Sequence, residues 1–516
     1  MNSNLKRTAL TTLRSISHVS SSNTSARERI VILGSGWAGF TLSRQLKKSK
    51  YEVIVVSPRS YFVFTPLLAS TAVGTLEFRT TLEPVRARNA NVDYIQGWAD
   101  DVNFDKKTLT IEAVTGKPKS GSYVTSLSEP SQVDGLTTIT TVKKKGELFD
   151  IKYDKLIVAV GCYSQTFGTK GVKENALFLK DVGDARRIRS RILQCFEIAS
   201  LPTTSESLRK QLLNFAIVGG GPTGIEFAAE LFDLCHEDLI RLYPTLVPFV
   251  KISIYDIAPK ILPMFDAKLA AYAMNLFRRD GISIKTEHHI EELRPGLPSD
   301  RHEKNADAAA CLTLVTKEEG EIGIGMCVWS TGLMMNPFVR KALDSVHKYP
   351  ASSAKLNTPE AIKALPSSLK WSLKRDQKTG GLMVDDRFRV KLVHPESSAE
   401  ATMSDVFAIG DVSVMEKSQL PATAQVANQE ANWLGKHLNA GDIDSQKFTF
   451  RNLGVMTYLG SMKAIMQSEK TEVKGRTAWL IWRGAYLTKT VSWRNKLLIP
   501  MYWAINWIFG RDISRF

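Results

Sequence analysis

The chain has 516 residues, 43% of them hydrophobic and 23% charged, and carries a formal net charge of +16. That length is too great for one ordinary core and predicts two or three globular domains, while the lack of any run of eighteen apolar residues argues against a membrane-spanning helix. The basic excess points to an anionic partner, either nucleic acid or an anionic membrane surface. Five cysteines (Cys162, Cys195, Cys235, Cys311 and Cys327) show no CxxC pair, metal spacing or disulfide framework, as expected of reduced thiols in a non-secreted protein.

Residues 1–27, MNSNLKRTALTTLRSISHVSSSNTSAR, contain no Asp or Glu. Lys6, Arg7, Arg14 and Arg27 stand among many Ser and Thr, and Leu5, Ala9, Leu13 and Ile16 would share one helical face. This is the composition of a mitochondrial transit peptide, with a merely disordered N-terminus as the alternative. RERIVILGSGWAGFTLSRQL follows, a short β-branched strand entering a helix through Gly34-x-Gly36-x-x-Gly39. Such glycines allow a tight turn and close backbone approach, and the helix N-terminus then faces a pyrophosphate. The next strand, YEVIVVS, comes at the expected distance and runs into Ser57-Pro58-Arg59 with no acid. Taken in isolation, Ser plus Arg suits a 2′-phosphate and hence NADP.

A second fingerprint lies in NFAIVGGGPTGIEFAAEL, with Gly219, Gly221 and Gly224. Its next strand, VKISIYD, ends in Asp256, a carboxylate able to hydrogen-bond a ribose 2′-OH and to repel a 2′-phosphate. This site is expected to prefer NADH to NADPH. The interval is longer than the usual spacing of about 20 residues, and FDLCHEDLIRLYPTLVPF accounts for the excess as an extended helix and loop. YDKLIVAVGCYS (153–164) and GMCVWSTGLMMNP (325–337) each end a β-run in a glycine turn, at Gly161 and Gly332. Segments 115–150 and 345–380, rich in Ser, Lys, Pro and Gly, read as surface insertions. VFAIGD then ends a β-run at Gly410-Asp411, and PATAQVANQEA opens a helix near Pro421 with Gln425 and Gln429 one turn apart on one face.

Five of the ten tryptophans follow residue 475, and Trp479, Trp482, Tyr486 and Trp493 fall on one helical stripe. Basic residues from Arg476 to Arg515 are interleaved, with Asp512 the single acid. LLIPMYWAINWIF is too short to cross a hydrocarbon core of about 30 Å. Aromatic and basic residues around short apolar runs read as an interface-lying anchor, a helix pair packed on the body or on another subunit being the alternative.

SPRSYFVFTPLL (57–68), IVGGGPTGIEFAAEL, VFAIGD, LPATAQVANQEA and the tail AWLIWRGAYLTKTVSWRNKLLIPMYWAINWIFGRDISRF resemble the type II, non-proton-pumping NADH:quinone oxidoreductases. The tail is most similar to that of mitochondrial, fungal-type members. The resemblance covers nearly the whole chain from about residue 28. It implies an α/β two-dinucleotide-binding-domain flavoprotein, with two Rossmann-like domains and a C-terminal amphipathic helical membrane-anchoring region. It also implies that the first site holds non-covalent FAD rather than NADP. The residues carried over for FAD are Gly34, Gly36, Gly39, Arg59, Thr65, Gly161, Gly410, Asp411 and Ala424, with Asp411 on the ribityl-phosphate part. Tyr61, Thr65 and Pro66 match the segment covering the isoalloxazine. Those for NADH are Gly219, Gly221, Gly224, Asp256 and Gly332. Glu226 would orient or handle protons near the nicotinamide, and Gln425 and Gln429 would border a ubiquinone pocket. Capping or packing is the plain alternative for the two glutamines, and a first-turn acid favouring the helix N-terminus is that for Glu226. An amide can donate to a quinone carbonyl without adding a titrating charge, and a helix N-terminus favours negative charge on reduced flavin. Asn428 is given no role.

The expected organisation is a transit peptide (1–27), an FAD-binding domain in two parts (28–205 and 341–450, with insertion 345–380), an NADH-binding domain (206–340) and an anchoring or dimerising tail (451–516). The expected activity is rotenone-insensitive, non-electrogenic oxidation of NADH with two-electron reduction of ubiquinone in the respiratory chain. The protein is expected as a homodimer, peripheral on the mitochondrial inner membrane, the matrix side favoured, with no nucleic-acid partner and no metal. No calcium-binding loop of the DxDxDG type is present. Two other readings stay open. A sulfide:quinone oxidoreductase needs a redox cysteine pair with one member late in the chain, whereas the last cysteine here is Cys327. An apoptosis-inducing-factor-like signalling flavoprotein is compatible with the basic charge, although much of the identifiable excess lies in the leader and the tail.

Overall fold

The computed structural model describes residues 27–87, 90, 92–114, 146–299, 310–341, 343, 354–356, 371–394 and 400–514. The leader and most of both insertions lie outside the described residues. Both expected Rossmann-like domains are present. The β-branched runs Glu28–Leu33 and Tyr51–Ser57 are almost wholly buried, as strands covered on both faces of a parallel sheet must be. They pair in parallel with each other, with Lys155–Val158 on one side and with Asp93–Asn103 on the other. Glu400–Ala408 returns from far down the chain to pair in parallel with Lys155–Val158 and so completes the first domain. Antiparallel strands extend both edges of this sheet.

Between the two parts of that domain sits a second parallel sheet, ordered Leu177–Phe178, Met326–Trp329, Asn214–Val218, Lys251–Tyr255 and Ser283–Lys285. Its first strand lies upstream of residue 206, so the second domain begins recruiting chain earlier than the fingerprint suggests. The helix Pro222–Asp233 continues through a π-helical turn, Leu234–Leu239, which is where the extra length before Asp256 goes. The two glycine-turn segments pair with each other: Cys162–Ser164 and Leu333–Met335 form an antiparallel ribbon that ties the domains together.

The tail differs from the expectation in two respects. A three-stranded antiparallel sheet, Val455–Tyr458, Ala464–Gln467 and Glu472–Gly475, precedes the helices. The aromatic stripe is also not continuous. Thr490 ends the helix Arg476–Lys489, and Ser492 caps a separate helix, Trp493–Phe509, through its bond from the Asn495 N–H. Trp482 is therefore buried in the body, whereas Trp493 is 79% exposed at the start of the next helix. Among the described residues no helix is long and apolar enough to cross a membrane.

Candidate active site

The two fingerprint turns use their glycines alike. Gly34 and Gly219 adopt φ of 107° and 117°, in the region that side chains avoid. A Cβ on Gly39 would lie 2.1 Å from the Gly34 carbonyl oxygen, and one on Gly224 would lie 2.0 Å from that of Gly219. Between them Gly36 and Gly221 sit at the helix N-caps with no atom within 4 Å of a built Cβ. Each turn thus closes tightly on one side and leaves bare backbone and a helix N-terminus on the other, the cradle a pyrophosphate requires.

The strand-end residues occupy equivalent places and differ in chemistry. In the second domain the Gly220 N–H donates to Asp256 Oδ2 (2.5 Å) and the Ala258 N–H to Oδ1 (2.7 Å). In the first, the Ser35 and Ser57 hydroxyls face each other at 3.0 Å, and the Arg59 N–H donates to Ser57 Oγ (3.2 Å). The Arg59 guanidinium is paired with Asp181 (2.8 Å), the N-cap of the helix Val182–Ser200. Trp37, the first residue of the first fingerprint helix, donates its indole N–H to Thr65 Oγ1 (2.9 Å), which fixes the 61–68 segment against that helix.

Gly410 (φ 76°) lies where two helices converge. A Cβ there would be 3.1 Å from Ala38 Cβ and 3.6 Å from Ala427 Cβ. Asp411 accepts from Cys162 Sγ (3.0 Å), and Lys180 Nζ reaches the same sulfur at 3.3 Å. Burial first, and Asp411 next, push the Cys162 thiol up to about 12, so it is a neutral donor rather than a nucleophile. None of the five cysteines is in a disulfide. A cavity runs past Cys162, Met334, Asp411, Ala422, Val426 and Glu430. The glutamine helix begins at Ala424 rather than Pro421, because Thr423 caps it by accepting the Val426 N–H (3.3 Å).

Gln425 and Gln429 do share a face, and both grip one loop. Gln425 Nε2 donates to the Gly454 carbonyl (3.1 Å) while its Oε1 accepts the Leu453 N–H (3.0 Å). Gln429 does the same with the Arg451 carbonyl and N–H (2.8 and 3.1 Å). Glu226 is also engaged. Its Oε1 accepts from the Tyr458 N–H (3.1 Å) and from Trp482 Nε1 (3.3 Å), so it ties the second fingerprint helix to the tail. Burial pushes its carboxyl up to about 8.

Several residues at this junction were not found by reading motifs. Glu230 accepts from Ser70 Oγ (2.5 Å) and Thr75 Oγ1 (2.7 Å). Asp233 accepts from Tyr458 OH (2.6 Å) and the Ser461 N–H (3.0 Å), and burial raises it to about 7. Glu430 accepts the Gly410 N–H (2.5 Å) and is raised by burial to about 8. The signal was present, because Glu226, Glu230 and Asp233 recur at helical spacing, and Glu430 falls on the same stripe as Val426, Ala427 and Leu434. Carboxylates on an apolar stripe must be paired or protonated.

Residues 28–347 match the family of pyridine nucleotide-disulphide oxidoreductases, and residues 452–512 match the NDH2 C-terminal domain. A Dictyostelium discoideum protein named "Probable NADH dehydrogenase" is 36% identical over 496 residues, spanning 95% of this chain and 91% of that one. The "Internal alternative NAD(P)H-ubiquinone oxidoreductase A1, mitochondrial" of Solanum tuberosum is 32% identical over 95% of this chain and 88% of its own length. The solved structure of NDH2 from Plasmodium falciparum in complex with NADH shares the fold, with a TM-score of 0.73 at 22% identity over 95% of this chain and all of that one.

Proposed function

The chain belongs to the type II, or alternative, NAD(P)H:ubiquinone oxidoreductases, and we propose the following roles for its own residues in oxidising NADH and reducing ubiquinone through a flavin. The observation that carries the reading is the pair of open glycine cradles joined by one ribbon, with the tail bonded to the second fingerprint helix. The first cradle, Gly34, Gly36 and Gly39, is assigned to the pyrophosphate of non-covalent FAD, with Arg59, Thr65, Gly161, Gly410, Asp411 and Ala424 along the rest of the cofactor. The residues present fit such a group, since Gly36 offers bare backbone and the cavity reaches Asp411. When bound, FAD supplies the hydride-accepting and electron-passing chemistry that amino-acid side chains lack.

The second cradle, Gly219, Gly221 and Gly224 with Gly332, is assigned to NADH. Asp256 reads the ribose: its two oxygens are held by backbone N–H groups, so a fixed negative charge faces any 2′-phosphate. Glu226, whose burial favours the protonated carboxyl, is assigned to hold a proton beside the tail and to release it towards the reduced quinone. Gln425 Nε2 exchanges its Gly454 carbonyl partner for a quinone carbonyl while Oε1 keeps the Leu453 N–H, and Gln429 keeps the loop in register. The helix N-terminus at Ala424 favours negative charge in the cavity.

The protein is mitochondrial and attached peripherally to a membrane. The lipid contact is assigned to the helix Trp493–Phe509, where Trp493, Leu497, Met501, Ile505 and Ile508 recur at helical spacing and are exposed. The acid-free 1–27 segment supports delivery to the matrix side, and the exposed tail face also suits a homodimer. Turnover without proton pumping accompanies these assignments. Anaerobic stopped-flow on the flavin-loaded protein tests the whole reading. NADH is expected to bleach the flavin band and a short-chain ubiquinone to restore it. Bleaching that quinone cannot reverse would move the protein to the signalling class.

A further inference from the structure

We propose that Phe167 covers the nicotinamide half of the bound dinucleotide, an inference that rests on assigning the second cradle to NADH. The position follows from strand order. In the second sheet the fingerprint strand Asn214–Val218 lies between Lys251–Tyr255 and Met326–Trp329. Asp256, at the end of the first neighbour, marks the adenosine side. A dinucleotide with its pyrophosphate at Gly221 crosses the sheet edge at the fingerprint strand. Its other half therefore falls over the end of Met326–Trp329, at Ser330–Gly332. The Phe167 ring stands there, since a Cβ on Gly332 would lie 2.7 Å from both Cε2 and Cζ.

The backbone carries an independent mark. The Thr169 N–H donates to the Thr166 carbonyl (2.9 Å), closing a turn whose central residues, Phe167 and Gly168, have φ of 54° and 75°. Turns of this hand are dominated by Gly, Asn and Asp, and a bulky residue at the first position is strained. Here an aromatic occupies it and stands 61% exposed as a residue, a combination that neither stability nor solubility favours. The turn is held in place on both sides. The Gln165 N–H donates to the Gly332 carbonyl (3.2 Å), the Gln165 carbonyl accepts Trp329 Nε1 (2.9 Å), and the Leu293 N–H donates to the Lys170 carbonyl (2.9 Å). A rigidly presented phenyl face at this edge suits a flat heteroaromatic ring. Once the hydride has left, the pyridinium cation is drawn to the same face.

Phe167→Gly removes the ring and relieves the turn, and Phe167→Leu keeps apolar bulk without a π face. In anaerobic stopped-flow on the flavin-loaded enzyme, the NADH concentration for half-maximal bleaching is expected to rise about tenfold in Phe167→Gly, and less in Phe167→Leu. Ubiquinone reoxidation should stay unchanged, and the unfolding temperature of Phe167→Gly should hold or rise. That opposition of stability and affinity is not produced by a packing role. Unchanged half-saturation overturns the proposal, as does an equal loss in the quinone step. A wild-type protein whose flavin NADH does not bleach would instead overturn the assignment of the second cradle.

Discussion

The two nucleotide-binding halves share their scaffold down to the atom that closes each turn, yet they part at two positions. Ser57 stands where the other half has Asp256, and Thr41 stands where it has Glu226. In the first half a hydroxyl pair, Ser35 and Ser57, replaces the Gly220 N–H to Asp256 bond, and no charge is left at the strand end. Thr41 accepts from Asn428 on the glutamine helix (3.1 Å), while Glu226 accepts from the tail. The same helical position is thus the docking point for a C-terminal element in both domains. The glycines make a generic cradle; on the proposed assignment the strand end selects what it holds, and the second helical turn bonds the C-terminal element.

The comparison can be tested most strongly at the glycines. Gly224→Ala drives a Cβ into the Gly219 carbonyl, and Gly39→Ala does the same in the first half. NADH-driven bleaching is expected to fall more than about a hundredfold in Gly224→Ala with flavin retained, whereas Gly39→Ala should lose flavin from the purified protein. Absorbance at the flavin band and bleaching rates separate the two. Next comes the strand end: Asp256→Ser should reduce the preference for NADH over NADPH by about tenfold or more, read as the ratio of the two kcat/KM values. An unchanged ratio would mean that another residue sets it.

Smaller effects come from the docking points. Gln425→Ala is expected to slow flavin reoxidation by ubiquinone about tenfold with bleaching by NADH intact, and Gln429→Ala to change either rate by less than about threefold. Equal losses in both half-reactions would assign both amides to the loop alone. The smallest effect is a pH dependence. Glu226 rises from an ordinary 4.5 to about 8 on folding, so between those values the folded chain keeps a proton that the unfolded chain releases. Its contribution to stability is full below pH 4.5 and lost as the pH climbs to about 8. Glu226→Gln keeps an oxygen acceptor for Tyr458 and Trp482 and should flatten that decline in thermal unfolding. Thr41→Ala, its counterpart, should leave the pH profile as it is.

Both fingerprints, their strands, the return at Gly410-Asp411 and the short aromatic tail were legible in the sequence. The three-stranded sheet at 455–475 was not, because its strands are four residues long and carry little periodicity. Nor was the break at Thr490, where Ser492 starts a new helix and sends Trp493 out of a stripe that the spacing alone makes continuous.

Local requirements are written locally. A glycine needed for close approach, a β-branched run buried on two faces and a helix cap all act within a window of about twenty residues. These set the fold class and the two cradles. Which polar groups meet across the chain is a different matter: Glu226 finds Tyr458 and Trp482 at separations of 232 and 256 residues, and Cys162 finds Asp411 at 249. Such partners are selected by where the domains and the tail come to rest. Only packing removes the water that would otherwise satisfy each carboxylate, and that removal raises Glu226 and Asp233 on one helix and Glu430 on another.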